Sequence, residues 1–125
     1  MKELTKAEEE VMQAIWEIER GFAKEIYEKV SGSPAYSTVL TILRILVKKE
    51  FVGYETFGKT HRYFPLISKD AYRKDFMSSF LSRYFNGSFE KMFSFFAQEG
   101  DVNLKQVEQL LHHAKQTRKT DKSHE

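Results

Sequence analysis

Tyr36–Val52 reads YSTVLTILRILVKKEFV, and its pattern is that of a helix with two unlike sides. Successive helical residues turn by about 100°. Ser37, Thr41, Arg44 and Lys48, spaced four, three and four apart, therefore fall in one narrow polar row, while Val39, Ile42, Leu43, Leu46 and Val47 cover the opposite side. A recognition helix needs this division, because its back packs on a domain while its front enters a major groove about 12 Å wide. The residue types suit the task. Ser37 and Thr38, near the N-terminus, match phosphate binding beside the helix dipole. Thr41 matches a base edge or a thymine methyl, Arg44 a guanine edge or a phosphate, and Lys48, one turn on, the DNA backbone. Leu40 borders the row, where it can lie against a thymine methyl. Taken alone, the row is equally that of an ordinary amphipathic helix with a solvated face. Its flanks decide.

Upstream, Thr5-Lys6-Ala7-Glu8 has capping-box spacing. Leu4, Ala7, Val11, Ile15 and Ile18 then recur at helical spacing until Arg20-Gly21 stops the helix. A second short helix fits Ala23 to Val30, Ser31-Gly32-Ser33-Pro34 is a turn, and the third helix runs from about Ser37 to Lys49. The period then changes. Phe51–Phe57 and His61–Pro65 read as strands joined through Gly58-Lys59-Thr60. Three helices followed by a hairpin is the order of a winged helix-turn-helix. Lys59, Thr60 and Arg62, at or beside the hairpin tip, are candidate backbone or minor-groove contacts; His61 is a donor or a bystander.

Downstream, Ser68 caps a helix through Tyr84, Asn86-Gly87 breaks it, and Phe89–Gln98 forms another. Glu99-Gly100-Asp101 is a second break, and a last helix is expected over Leu104–Gln116. Seven of the eleven phenylalanines lie between Phe76 and Phe96. Phe76, Phe80, Leu81, Tyr84 and Phe85 line the first of these helices. Phe89, Met92, Phe93 and Phe96 line the second, with Phe95 just off that face. Val107, Leu110 and Leu111, with Leu104, form a stripe on the third. Three helices of this total length make a poor independent core. These side chains are therefore assigned to a dimer interface, which would place two recognition helices one DNA turn apart. Folding of this face onto the N-terminal domain, or an aromatic ligand pocket, are the alternatives. The expected fold is mainly α with a small β-hairpin. A winged-helix DNA-binding domain occupies 1–66, a helical dimerisation region 67–116, and a polar tail 117–125.

Composition narrows the classes. Hydrophobic residues make up 41% of the chain, enough for a real core. The absence of cysteine removes disulfides and every cysteine-based metal or redox site. No apolar run approaches the ~20 residues of a membrane span, and the charged start, Lys2 to Glu10, is not a secretory signal. A cytoplasmic address is the default. The net charge of +2 is uninformative, but its distribution is not. Residues 3–28 hold eight acids against three bases. Residues 44–62 hold five bases (Arg44, Lys48, Lys49, Lys59, Arg62) against Glu50 and Glu55. A local field of this kind steers polyanions. No HExxH, P-loop or GxSxG is present, so no catalytic residues, cofactor or metal are expected and the chain is not read as an enzyme. His112-His113 point about 100° apart on a helix and lack zinc-pair spacing. Glu8-Glu9-Glu10 reads as a solvated helix face.

The chain resembles the penicillinase and methicillin-resistance repressors of the BlaI/MecI type over nearly its whole length. LTKAEEEVMQAIW resembles the family's opening. STVLTILRILVKK follows its recognition-helix pattern, FGKTHRYFP its wing, and FLSRYFNGSFEKM the start of its dimerisation region. The resemblance implies a cytoplasmic homodimer on a palindromic double-stranded operator, with Thr38 and Thr41 where family DNA contacts fall. It also implies relief of repression by proteolysis, triggered by a membrane-bound antibiotic sensor, with no membrane insertion of the repressor itself. The corresponding junction is Phe95-Phe96, and the family's Asn-Phe bond is not reproduced, since Phe95 stands in place of the Asn. A copper-sensing branch uses paired C-terminal cysteines, which this chain lacks. Tyr36 stands where relatives often carry Trp, and Arg44-Ile45 inverts their common apolar-then-Arg order. Two other readings stay open: a winged-helix module that binds a protein, and a small-molecule-responsive regulator using the phenylalanine-rich half as its pocket.

Overall fold

A computed structural model describes residues 3–100, 103 and 105–113. Helix α1 (Lys6–Ile18) opens on the expected capping box: Glu8 N–H donates to Thr5 Oγ1 at 3.2 Å, and Thr5 N–H donates to Glu8 Oε1 at 3.0 Å. Its end differs from a simple stop. Glu19 adopts φ 69°, ψ −45°, and Arg20 N–H donates to the Ile18 carbonyl at 2.8 Å. This is a γ-turn of the strained hand, disfavoured for a residue with a Cβ. The turn delivers Gly21 into a two-residue strand, β1 (Gly21–Phe22), that the sequence did not announce. A Cβ on Gly21 would sit 2.4 Å from Ile18 Cδ1, so a larger residue here would force the Ile18 side chain to shift.

After α2 (Ala23–Lys29) and the Ser31–Pro34 turn comes α3 (Tyr36–Lys48), followed by β2 (Val52–Phe57) and β3 (Thr60–Pro65). The antiparallel sheet has the order β1-β3-β2. Phe57 pairs with Thr60, so Thr60 belongs to β3 and the loop is only Gly58-Lys59. Gly58 has φ +61°, the first loop position where two-residue hairpins of the II′ kind take glycine. This is a winged helix-turn-helix.

Its core is one cluster. Val11, Met12 and Ile15 of α1, Ile26 of α2, and Val39, Ile42, Leu43 and Leu46 of α3 close against Phe51, Val52 and Tyr63. Parts of α1 depart from expectation. Ala7 is exposed, and Glu8, read above as solvated, is only 4% exposed. Lys49 explains it, with Nζ 2.7 Å from both Glu8 carboxylate oxygens. Burial alone pushes the Glu8 carboxyl up, but the Lys49 ion pair and the Thr5 hydrogen bonds outweigh it and hold its pKa below the ordinary value. Lys49 is held in place by a Schellman ending to α3. Glu50 N–H donates to the Val47 carbonyl and Phe51 N–H to the Leu46 carbonyl, both at 3.0 Å, with Glu50 at φ 66°. The apolar contact that accompanies such endings is supplied by Leu46 and Phe51, both fully buried.

By contacts the chain divides inside α4 (Lys69–Phe85), into Met1–Phe76 and Met77–Glu125. The expected boundary at 66/67 lies before α4. The helix starts within the first unit because Tyr72, 7% exposed, packs against Trp16 and Phe51 with ring centroids 5.7 and 6.0 Å away. Its hydroxyl donates to Glu9 Oε1 at 3.0 Å, and burial together with Glu9 pushes its pKa up to about 12. Trp16 Nε1–H donates to the Ile67 carbonyl at 2.9 Å.

The second unit holds the rest of α4, then α5 (Phe89–Gln98) and a helix over 105–113. Asn86 and Gly87, at φ 52° and 75°, separate α4 from α5. The expected helix limits Leu104 and Gln116, and the 117–125 tail, lie outside the described residues.

Candidate nucleic-acid interface

Helix α3 presents its two sides as its sequence requires. Val39, Ile42, Leu43 and Leu46 are buried, while Ser37, Thr38, Thr41, Arg44 and Lys48 are all exposed. Tyr36 stacks edge-on against Tyr27, with ring centroids 5.3 Å apart, and so pins the start of α3 to α2. Ala35, the N-cap, has no side-chain acceptor. The first-turn N–H groups beside Ser37 and Thr38 thus lack a side-chain cap, and the helix dipole favours an anion there. Thr41 Oγ1–H donates to the Ser37 carbonyl at 3.0 Å, leaving its acceptor lone pairs and methyl group for an outside partner.

The five bases of the 44–62 window separate into two kinds. Lys49 is bound to Glu8. Arg62 pairs with Glu55 across the hairpin at 3.2 Å and lies over the Phe57 ring at 4.9 Å. Arg20 reaches the same carboxylate at 2.9 Å. Arg62 Nε is buried without a hydrogen-bond partner among the described residues. Arg44, Lys48 and Lys59 have no carboxylate within ion-pair distance among the described residues, and neither has Lys24. Adjacent Lys48 and Lys49 look alike in sequence but point to solvent and core respectively.

Strand alternation sorts the wing by face. Glu55, Phe57 and Arg62 share one side, while Tyr54, Thr56, His61 and Tyr63 share the other. Between this second face, the front of α3 and the start of α2 runs a groove of ≈ 820 Å³. Arg44, Lys59 and Thr60 line it, so one α3 residue and two tip residues expected from sequence meet here. Ser37, Thr38, Thr41 and Lys48 lie on the exposed face of α3 outside the groove lining, and Arg62 is not part of it. Lys24, Tyr36, Tyr54 and Tyr63 join the groove without having been assigned a site role. Alternation of Val52, Tyr54 and Thr56 could have placed Tyr54 on this face, but Lys24 comes from a helix nothing in its own pattern marked. Tyr63 is 8% exposed, and burial raises its pKa while the charge of nearby Arg44 opposes the rise.

In the second unit, Met92 is the one buried apolar side chain among the described residues. Phe80, Leu81, Phe85, Phe93, Phe96 and Val107 are half-buried. Phe89 and Leu111 are exposed, Tyr84 is 66% exposed and Leu110 63%. Phe76, at the end of the first unit, is also exposed. Phe85 meets Phe95 at 5.8 Å, and Phe89 meets Phe93 at 4.5 Å. The Phe95-Phe96 junction lies within α5, where Glu99 N–H donates to the Phe95 carbonyl at 3.2 Å.

The sequence profile described as penicillinase repressor matches residues 4–116. The chain belongs to the penicillinase repressor family. It is 26% identical over 110 residues to the methicillin resistance regulatory protein MecI of Staphylococcus aureus (strain N315), covering 86% of this chain and 89% of that one. It is 27% identical over 110 residues to the penicillinase repressor of Bacillus licheniformis, covering 86% of each. Among solved structures, the DNA binding domain of the repressor BlaI aligns with a TM-score of 0.50 at 28% identity, over 58% of this chain and 94% of that domain. The chain is thus a penicillinase repressor family protein, of the BlaI/MecI type of DNA-binding repressors, with a winged-helix N-terminal half. Among the described residues no helix is long and apolar enough to cross a membrane, and no three His, Asp or Glu side chains cluster as a metal site.

Proposed function

We propose that this chain is a transcriptional repressor that binds a palindromic double-stranded operator as a homodimer in the cytoplasm. The observation that carries the reading is the row Ser37, Thr38, Thr41, Arg44 and Lys48, exposed along a helix whose back is in the core. In this reading α3 enters the major groove. Thr41 and Arg44 meet base edges, Ser37, Thr38 and Lys48 meet phosphates, and Lys59 and Thr60 at the wing tip hold the neighbouring backbone. Arg62 takes a supporting role, because its charge is already shared with Glu55. The exposed apolar side chains of the second unit (Tyr84, Phe89, Leu110, Leu111) support a helical dimer interface.

The relatives' names concern methicillin resistance and penicillinase, which supports a resistance operon as the target. As part of the same proposal, a membrane-bound sensor protease relieves repression with Phe95-Phe96 as the junction, where Phe95 stands in place of the family's Asn. Cutting there requires α5 to open locally, because a protease needs an extended substrate. The decisive experiment selects duplexes from random DNA with the full chain. A palindrome with half-sites about one helical turn apart supports the reading, and recovery of no enriched sequence sinks it.

A further inference from the structure

The groove between α3 and the wing is built for more than a sugar–phosphate backbone. A backbone needs cations and hydroxyls, and Lys24, Arg44, Lys59 and Thr60 supply them. The rest of the lining is of another kind. Tyr54 and His61 pack at a tilt with ring centroids 4.3 Å apart, and Tyr63 lies 6.1 Å from each, forming a three-ring wall on one face of the hairpin. Tyr36 stands at the α3 end, and Leu40 and Val47 add apolar surface. Among the described residues no carboxylate lines the groove. At ≈ 820 Å³ it lies within the size range of ligand sites, whose usual make-up is an apolar and aromatic wall with a few converging polar groups.

We propose that this groove binds a small aromatic anion, an aryl carboxylate or aryl phosphate, and that the bound molecule excludes DNA. The ring lies against Tyr54 and Leu40, and the acid group meets Arg44 and Lys24 or Lys59. Arg44 acts electrostatically on Tyr63, which places its charge beside the ring wall. Exclusion follows because Arg44 and Lys59 serve both occupants, so each weakens binding of the other. This places the ligand site on the DNA-binding face rather than in the phenylalanine-rich half. The exclusion rests on the DNA reading above; the binding does not.

The test uses the full chain with naphthoate as probe, naphthamide as a ring without charge, and acetate as a charge without a ring, at fixed ionic strength. Amide shifts on titration are expected at Lys24, Leu40, Arg44, Tyr54 and His61 with naphthoate, and weaker or none with the other two. Tyr54→Ala, at a half-exposed position outside the proposed DNA contacts, is expected to weaken naphthoate about three- to ten-fold with only a small fall in melting temperature from its lost ring contacts. Lys24→Ala, on the opposite wall, is expected to weaken naphthoate but not naphthamide. Naphthoate is then expected to release a selected duplex where acetate does not. Shifts confined to α4 and α5, equal effects of acetate and naphthoate, or indifference to both substitutions would overturn the proposal. If naphthoate binds the groove but no duplex binds the chain, the ligand site stands and the DNA reading falls.

Discussion

Arg44 is where the proposed DNA reading is most exposed to test. It is solvent-exposed, has no carboxylate partner among the described residues, and projects from a helix whose back is buried. Arg44→Ala is expected to cost ~1–3 kcal/mol of operator affinity and to relax preference at one base position. Fluorescence anisotropy on matched and mismatched duplexes measures both, and an unchanged affinity would remove Arg44 from the reading role. Lys49 behaves differently although it follows Lys48 directly. Lys49→Met strands the buried Glu8 carboxylate and is expected to destabilise the fold by about 2 kcal/mol, less than a fully buried pair because Lys49 is partly exposed.

The pH dependence has a definite sign. Glu8 has a folded pKa below its unfolded value near 4.5. Its contribution is therefore present above that value and is lost as pH falls through the folded pKa. Denaturant midpoints between neutral and acid pH should fall more steeply for the native chain than for Lys49→Met. Parallel curves would contradict the ion pair.

At the scale of elements, the ends of helices carry the departures from ideal chemistry. Glu50 occupies the left-handed position of the Schellman ending of α3, where glycine is favoured. Glu50→Gly is expected to stabilise by up to ~1 kcal/mol, read as a rise in melting temperature; a fall would show that the side chain makes a compensating contact. These endings also mark what the sequence could and could not reveal. Capping at Thr5, the amphipathic row of α3 and the hairpin were legible because each is a local pattern within one or two turns of chain. Strand β1 was not, since two residues have no period and their hydrogen bonds come from β3, some forty positions away. Burial of Glu8 was hidden for the same reason, its partner lying 41 residues on. The groove is assembled from α2, α3 and the wing together, so Lys24 and Tyr54 gained meaning only from the fold.

For the whole molecule, the apolar side chains of the second unit set the expectation. Their exposure in a single chain is costly at roughly 25 cal/mol per Å², and a second copy is the simplest cover. Sedimentation of the full chain should show a dimer. Leu110→Glu combined with Leu111→Glu should shift it toward monomer and weaken operator binding while α3 is untouched. A native monomer that binds a palindrome as tightly as a dimer would contradict this assignment.

In the proposed function, the face bearing Ser37, Thr41, Arg44 and Lys48 holds duplex DNA with sequence preference. A titration of the full chain against its selected duplex and a scrambled one, repeated across a salt series, tests it most directly. A clear preference for the selected duplex is expected, with log affinity falling linearly against log salt as counterions are released from phosphates. Equal affinity for the two duplexes, or binding indifferent to salt, would contradict it.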